Sequence, residues 1–345
     1  MSTIKRFEID MLDVKAADAF LLHAFIDHEG KEQEYVVLID AGNEGDGKKI
    51  IHHINKYYTQ HYIDLAVCTH CDSDHYGGFK ELIEEHQKSS SSFKINKFWV
   101  HDPYKHVDVD DVKYIRKDKT LRERLNEAYA FNDGNNLLEI IDNAKIKRIE
   151  PFRALEYAPL NIFVLGPSKE YYKSLIPDFR VDLDFKDEQP EDKYDDEKNK
   201  QYETEDEYLS KALEDATDDP SKVNQSSVIL AFAPDDDIFL FTGDAGREAL
   251  QNIIDLDEED TLVNIKWMKV PHHGSKHNLN SAIINHFHPA ISYISTEKYG
   301  KYANICTVNA LKKVGKAYST HQNRRNIWYH SGIPQREGYS TATPL

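Results

Sequence analysis

Cysteine and long apolar runs are scarce in this sequence, and basic residues are outnumbered by acidic ones; each feature argues against a class of protein. The 345 residues include three cysteines, Cys68, Cys71 and Cys306, which are too few for a disulfide framework. No run of about 18 apolar residues occurs, so we expect no membrane-spanning helix and no membrane partner. The amino terminus leads into a strand-like stretch without an apolar leader. Together with the cysteine content, this favours a reducing cytoplasm.

Acidic residues outnumber basic ones by 60 to 43, which gives a formal net charge of −17. Phosphate binding needs clustered Lys and Arg, so this charge argues against a broad nucleic-acid-binding face. Much of the excess lies in residues 178–219, which are poor in aliphatic side chains. We interpret them as an acidic surface insertion, partly disordered or helical around 203–213, within a single domain over 1–345. The alternative is an acidic arm that docks a protein partner or inhibits the site.

Strand-like and helix-like apolar patterns alternate along the chain. Three strand patterns, at 4–12, 19–26 and 34–39, precede a helical pattern at 48–58. After the acidic segment the later patterns cover 227–232, 238–241, 247–254, 265–270, 291–295 and 306–314. This order predicts an α/β (α+β) protein with an αββα arrangement. Two mixed sheets would pack face to face, with helices on their outer surfaces.

The most informative segment is the loop after the apolar run 65–67. Residues 70–75 contain two His and two Asp, and a tight loop after a strand would direct these side chains into one small volume. His and carboxylate are ligand types that divalent transition metals accept. A polar loop with chance spacing is the alternative, but further strand patterns also end in such residues: Asp40, Asp244, and the pair His272 and His273.

These segments together resemble the metallo-β-lactamase superfamily, whose signature loop reads His-x-His-x-Asp-His. The loop here reads His70-x-Asp72-x-Asp74-His75, with Asp72 in place of the second His. This replacement resembles the catalytic domain of the ComEC-type DNA-uptake proteins and their soluble relatives. The segments at 38–42 and 269–276 match that branch closely. Asn224 stands where other members carry a third ligand His, and Lys301 stands where a His is usual.

The resemblance implies two divalent metal ions, Zn²⁺ or Mn²⁺, and assigns their ligands residue by residue. His70 and Asp72 would bind the first ion, Asp74 and His75 the second, and Asp244 both. His272 or His273 would complete the second site. We take His272 as the ligand and His273 as a catalytic group that polarises a phosphate or protonates a leaving group.

Further roles follow from the same resemblance. Asp74 would orient the nucleophilic water, and Asp40 would support a ligand His without binding metal itself. Phosphate contacts would come from Ser275 and Lys276, and Lys301 could hold a phosphate as a point charge. Asn224 would stand in for the missing His beside the substrate.

The resulting prediction is a metal-dependent phosphodiester hydrolase, a nuclease or nucleotide phosphodiesterase that uses a metal-activated water. Its substrate would be nucleic acid or a nucleotide. One alternative is a lactone, thioester or β-lactam hydrolase, although such enzymes usually keep both of the missing histidines. The other is a non-catalytic regulatory subunit with the same fold, which Asn224 and the acidic insertion favour slightly.

Overall fold

The computed structural model describes residues 3–107, 119–181, 204–300, 302–337, 339 and 341–345. Within these ranges, two seven-stranded sheets and one two-stranded sheet form. The strands are β1 (Thr3–Met11), β2 (Phe20–His28), β3 (Lys31–Ile39), β4 (Tyr62–Ile63), β5 (Leu65–Val67), β6 (Lys94–Ile95), β7 (Lys97–Trp99), β8 (Lys147–Ile149), β9 (Glu156–Tyr157), β10 (Ile162–Gly166), β11 (Ile229–Phe232), β12 (Phe239–Phe241), β13 (Trp267–Lys269), β14 (Ile291–Ile294), β15 (Lys316–Ser319) and β16 (Ile327–Ser331).

Helices connect most of these strands. They are α1 (Gly47–Tyr57), α2 (Ser73–Tyr76), α3 (Phe79–Gln87), α4 (Leu121–Asn126), α5 (Leu137–Asn143), α6 (Lys169–Leu175), α7 (Glu205–Glu214), α8 (Lys222–Gln225), α9 (Arg247–Ile254), α10 (Ser281–Phe287), α11 (Ile305–Val314) and α12 (Thr320–Asn323). In the part of the chain that the structure describes, none of these helices has the length and apolar character needed to cross a bilayer.

Both large sheets are mixed. The first has the order β16-β1-β2-β3-β5-β7-β8, and the second has the order β15-β14-β13-β12-β11-β10-β9. In the first sheet β16, β1, β2 and β3 are antiparallel, and the strands from β3 to β8 are parallel. In the second, β9 to β12 are antiparallel and β12 to β15 are parallel. Helices form the crossovers of both parallel halves, as parallel connections require.

Local sequence explains the tight β2–β3 hairpin. Glu29 and Gly30 form its two-residue loop, with φ of 54° and 80°, and His28 pairs with Lys31. Positive φ at both loop residues matches the twist of the flanking strands, and glycine adopts it at little cost.

The core between the two sheets is rich in aromatic side chains. Trp267 on β13 lies 4.9 Å from the ring of Phe241 on β12 and 6.1 Å from Phe20 on β2. These rings are buried, so they join the sheets by apolar area and by edge-to-face contact. Two further apolar clusters lie between each sheet and its outer helices. The predicted αββα fold with two mixed sheets is therefore confirmed.

The acidic insertion is described only at its ends, because residues 182–203 lie outside the described residues. Its later part forms α7, which packs beside α11. Asp206 accepts hydrogen bonds from Asn309 at 2.8 Å and pairs with Lys313 at 2.8 Å. The interpretation of residues 1–345 as one domain stays a prediction.

Candidate metal centre

The segments with metal-ligand side chains all lie at the carboxyl ends of parallel strands. Asp40 directly follows β3, and two residues separate the end of β5 from the loop 70–75. Asp244 follows β12, and the pair His272 and His273 follows β13. The carboxyl ends of parallel strands meet at one edge of a sheet. The edge of the first sheet that carries these carboxyl ends faces the corresponding edge of the second sheet, so the four segments converge.

Gly243 allows the loop after β5 of the first sheet and the segment before β11 of the second sheet to approach each other closely. Its φ is +52°, and a Cβ built there would lie 2.9 Å from the Cβ of Ser227 and 3.0 Å from the Cβ of Thr69. Thr69 begins the loop of the first sheet, whereas Ser227 precedes β11 of the second. A side chain at position 243 would push these segments apart, so the glycine before Asp244 is a steric requirement of the site.

Four donor atoms from Asp74, His75, Asp244 and His273 form a close cluster. The Nε2 of His75 lies 3.3 Å from Asp244 Oδ2 and 3.8 Å from Asp74 Oδ2. The Nε2 of His273 lies 3.2 Å from Asp74 Oδ2 and 3.7 Å from Asp244 Oδ2. Ligands at about 2.0–2.1 Å from a tetrahedral zinc ion are about 3.3–3.4 Å apart. The cluster therefore has the dimensions of a metal site.

Asp40 orients two of the imidazoles. Its Oδ2 accepts a hydrogen bond from His75 Nδ1 at 2.8 Å and another from the hydroxyl of Thr69 at 2.8 Å. Because that hydroxyl donates to Asp40, it can accept from His70 Nδ1, which lies 3.0 Å away. Both rings then keep an Nε2 lone pair directed into the cluster. The ring of His273 is fixed similarly, by a 3.0 Å bond from Nδ1 to the carbonyl of Ser295.

The predicted first site is less compact. His70, His75 and Asp244 each offer a ligand atom within 4.8 Å of the others. The Oδ2 of Asp72 lies 3.7 Å from His70 Nε2, but its Oδ1 accepts a 2.6 Å hydrogen bond from Arg180. Arg180 also donates to the carbonyl of Cys71. Asp72 therefore divides its charge between the cluster and a guanidinium.

His272 lies at the rim of the cluster. Its Nε2 is 4.0 Å from Asp244 Oδ2, and its Nδ1 bonds Asp219 Oδ2 at 2.9 Å. Asn224 and Asn278 also donate to Asp219, at 2.8 and 3.0 Å. Burial lowers the pKa of His272, but Asp244 and Asp219 outweigh this and raise it to about 9. The same contacts lower the pKa of Asp219 to about 2, against the opposing effect of burial.

A buried ammonium balances the carboxylates beneath the cluster. The Nζ of Lys269 contacts Asp244 Oδ1 at 3.0 Å and also contacts Asp18 and the carbonyl of Gly243. Its side chain is 2% exposed. Burial lowers the pKa of Lys269, and the two carboxylates raise it above its ordinary value. Burial likewise raises the pKa of Asp244, but Lys269 and the surrounding histidines bring it well below normal.

A family model described as the metallo-beta-lactamase superfamily matches residues 26–296. The chain belongs to this superfamily. No curated protein matches it. Among solved structures, a mutant of CmlA beta-hydroxylase is similar at 11% identity and a TM-score of 0.43. That match covers 94% of this chain and 54% of the other, so the chain spans about half the length of that protein.

Metallo-β-lactamase superfamily members are mostly metal-dependent hydrolases, and the donor set fits divalent metal ions. The Nε2 atoms of His70 and His75 are buried, and neither has a hydrogen-bond partner among the described residues. Buried imidazole nitrogens without partners are costly unless a cation accepts their lone pairs. Three imidazoles and the carboxylates of Asp74 and Asp244 suit Zn²⁺ or Mn²⁺. The residues that would hold metal are thus His70, His75, His273 and these two carboxylates.

The structure places the remaining predicted residues outside this donor set. Asn224 lies beside His272, and its Oδ1 is buried without a partner among the described residues. Ser275 is buried, and its Oγ accepts a 3.3 Å bond from the amide of His277. Lys276 is half-buried, and its carbonyl accepts from Arg247. Lys301 lies outside the described residues. The roles predicted for these side chains stay predictions.

Sequence reasoning missed four residues of this superfamily site: Asp18, Arg180, Asp219 and Lys269. Lys269 falls within the segment 269–276 that carried the resemblance, and Asp18 directly precedes the strand pattern at 19–26, so a charged residue next to a motif or strand was the available signal. Asp219 and Arg180 fall within the acidic insertion, where no pattern separates them from solvated charge.

Proposed function

We propose that the chain is a phosphodiesterase that cleaves nucleic acid or nucleotides with bound divalent metal. One observation carries the proposal: the imidazole of His272, hydrogen-bonded to Asp219 at 2.9 Å, lies beside the donor cluster but outside its close contacts. The leaving alkoxide of a phosphodiester needs a proton, whereas a thiolate leaves without one. An imidazole at this position, hydrogen-bonded to a carboxylate, can supply that proton. It therefore supports cleavage of a phosphodiester over cleavage of a thioester.

The proposal exchanges the roles that the sequence assigned to the two histidines. The Nε2 of His273 is within 3.7 Å of both Asp74 and Asp244, which favours it as the metal ligand. His272 is held by Asp219 and remains 18% exposed, which favours it as the general acid that protonates the leaving oxygen. Asp219 positions it by fixing the proton on Nδ1.

Asp74 has the geometry of the residue that orients the nucleophile. Its side chain is 31% exposed, more than that of the buried Asp244, and it faces the histidines of both sheets. Bound divalent metal would supply a water of lowered pKa and stabilise negative charge on the phosphoryl oxygens. Tyr302 packs against both His272 and His273, with ring distances of 5.5 and 5.2 Å, and limits water on that side.

The direct test is hydrolysis of bis(p-nitrophenyl) phosphate, nitrocefin and a thioester after chelation and return of Mn²⁺, Zn²⁺ or Mg²⁺. We expect metal to restore phosphodiester hydrolysis to at least about 100-fold above the chelated chain, in line with the rate effect of metal-stabilised charge. Faster hydrolysis of nitrocefin or the thioester would support the ester hydrolase instead. A folded, metal-loaded chain that cleaves none of them would support the regulatory subunit.

His272→Gln tests the general acid through the leaving group. p-Nitrophenolate is weakly basic and needs little protonation, whereas the alkoxide of an oligonucleotide needs a proton. We expect kcat to fall about 10²–10⁴-fold for an oligonucleotide and to change little for bis(p-nitrophenyl) phosphate. His277→Gln, an alteration of a half-buried imidazole nearby, is the matched control. Equal losses on both substrates would mean that His272 binds metal.

A further inference from the structure

A cavity of about 480 Å³ lies along α1, away from the donor cluster. Its lining is Lys48, Lys49, His52, His53, Lys56, Tyr57 and Asn326, and we call it the α1 pocket. Lys48, His52 and Lys56 are spaced by four residues, and Lys49 and His53 form a second row beside them with the same spacing, so all five lie along one side of the helix. The asparagine comes from the residue before β16, so the pocket lies between α1 and the edge of the first sheet.

The α1 pocket is basic in a protein of net charge −17. Its described lining residues include three lysines and two histidines, with no carboxylate among them. Lys48 and Lys56 are exposed. Lys49 pairs with Asp46 at 2.8 Å, which neutralises one of the three ammonium groups and leaves a net positive charge. Clustered lysines on an exposed face are the usual means of holding phosphate.

Tyr57 gives the pocket an aromatic surface. Its half-buried ring lies 4.8 Å from Lys56 Nζ and 4.5 Å from the guanidinium of Arg336. The ring of Tyr339 packs edge-on against it at 5.5 Å. These contacts fix the ring in place. Because cations already lie over this ring, Tyr57 forms a rigid wall of the pocket, and the lysines supply the charge that would hold a backbone phosphate.

One short segment connects the α1 pocket to the metal centre. Asp13 lies at the pocket, where its amide donates to Asn326 at 2.8 Å and its carbonyl accepts from Lys49 at 3.5 Å. Five residues later, Asp18 pairs with Lys269 and lies 3.6 Å from His273. Five residues span at most about 17 Å. One nucleic-acid strand could therefore contact both places.

We propose that the α1 pocket holds backbone phosphates of a nucleic-acid strand whose scissile bond lies at the metal centre. The inference rests on the proposed function and deepens it, because it selects a polymer over a cyclic nucleotide. The net negative charge is compatible with this proposal, because an acidic surface repels a strand that the clustered lysines of the α1 pocket attract.

The test is binding of a fluorescein-labelled 20-nucleotide single strand, as DNA and as RNA, to the full chain in EDTA, which prevents cleavage. The variant combines Lys48→Gln, Lys49→Gln and Lys56→Gln, which keep helix propensity. The control combines Lys31→Gln, Lys147→Gln and Lys312→Gln, three exposed lysines elsewhere, with the same change in net charge. Anisotropy titrations between 50 and 200 mM salt give the affinity and its salt slope, and circular dichroism checks folding.

We expect the pocket variant to lose affinity about tenfold or more, and its salt slope to fall by about 1.4, or 0.7 for each of Lys48 and Lys56. The control should retain both values. Equal behaviour of the two variants, or no binding by the unaltered chain, would overturn the proposal. Hydrolysis of bis(p-nitrophenyl) phosphate, which carries one phosphate, tests the metal centre separately. The two assays therefore distinguish failure of the pocket proposal from failure of the proposed phosphodiesterase activity. If the triple variant misfolds, Lys56→Gln alone should lower the slope by about 0.7.

Discussion

Asp244→Asn should remove metal binding and lower kcat/KM for phosphodiesters by on the order of 10³-fold or more. Asp244 Oδ2 lies 3.3 Å from His75 Nε2 and 3.7 Å from His273 Nε2, so this buried carboxylate lies beside donors from both sheets. The amide keeps the shape of the side chain but loses the charge. Metal content after dialysis, calorimetric titration with Zn²⁺ and Mn²⁺, and phosphodiester hydrolysis would measure the effect.

Two further variants calibrate that result. Asp40→Asn should lower metal affinity only about 10–100-fold, because Asp40 orients His75 and Thr69 and is not itself in the four-atom cluster. Asp237→Asn makes the same chemical change at a side chain that is 52% exposed and should leave both properties unaltered. Full metal binding by the Asp244 variant would contradict the assigned centre.

Lys269→Met should lower the free energy of unfolding of the metal-free chain by about 3–5 kcal/mol. Removing one partner of a buried ion pair leaves an uncompensated charge, and that penalty has this size. Here the carboxylates of Asp18 and Asp244 would remain buried without their ammonium. Urea unfolding followed by circular dichroism measures the change, and excess metal should recover part of the loss because the added cation replaces the missing charge.

Lys266 provides the control, since it lies one residue before β13. Its side chain is 41% exposed and pairs with Asp237 at 3.3 Å. Exposed ion pairs contribute about 0–1 kcal/mol, so Lys266→Met should shift the urea midpoint little. Similar midpoints for the two variants would show that the buried ammonium does not stabilise the fold.

Much of the fold could be predicted because hydrophobic pattern and strand order are local properties. The order of strand and helix patterns predicted two sheets packed face to face. The runs at 34–39 and 65–67 precede ligand-type residues, and the superfamily resemblance implied that these strand ends meet at one metal site. Details such as the short α2 over Ser73–Tyr76 depend on how the loop packs and not on periodicity.

The remaining parts of the site depend on contacts between distant residues. Arg180 reaches Asp72 across 108 positions, and Asp219 bonds His272 across 53, so no local pattern marks either pair. The roles of His272 and His273 could not be separated in the sequence because the residues are adjacent. Both have a left-handed backbone, with φ of 46° and 52°. The ring of His272 points toward Asp219, and the ring of His273 points toward Asp74.

Each of the two large sheets provides two of the four close donor atoms. Asp74 and His75 follow a strand of the first sheet, and Asp244 and His273 follow strands of the second. A metal ion held by all four is therefore a cross-link between the sheets, and its binding free energy is also folding free energy. Above the dissociation constant, each tenfold rise in free metal should add about 1.4 kcal/mol to stability. Metal supply would then control how long the protein persists as well as how fast it works.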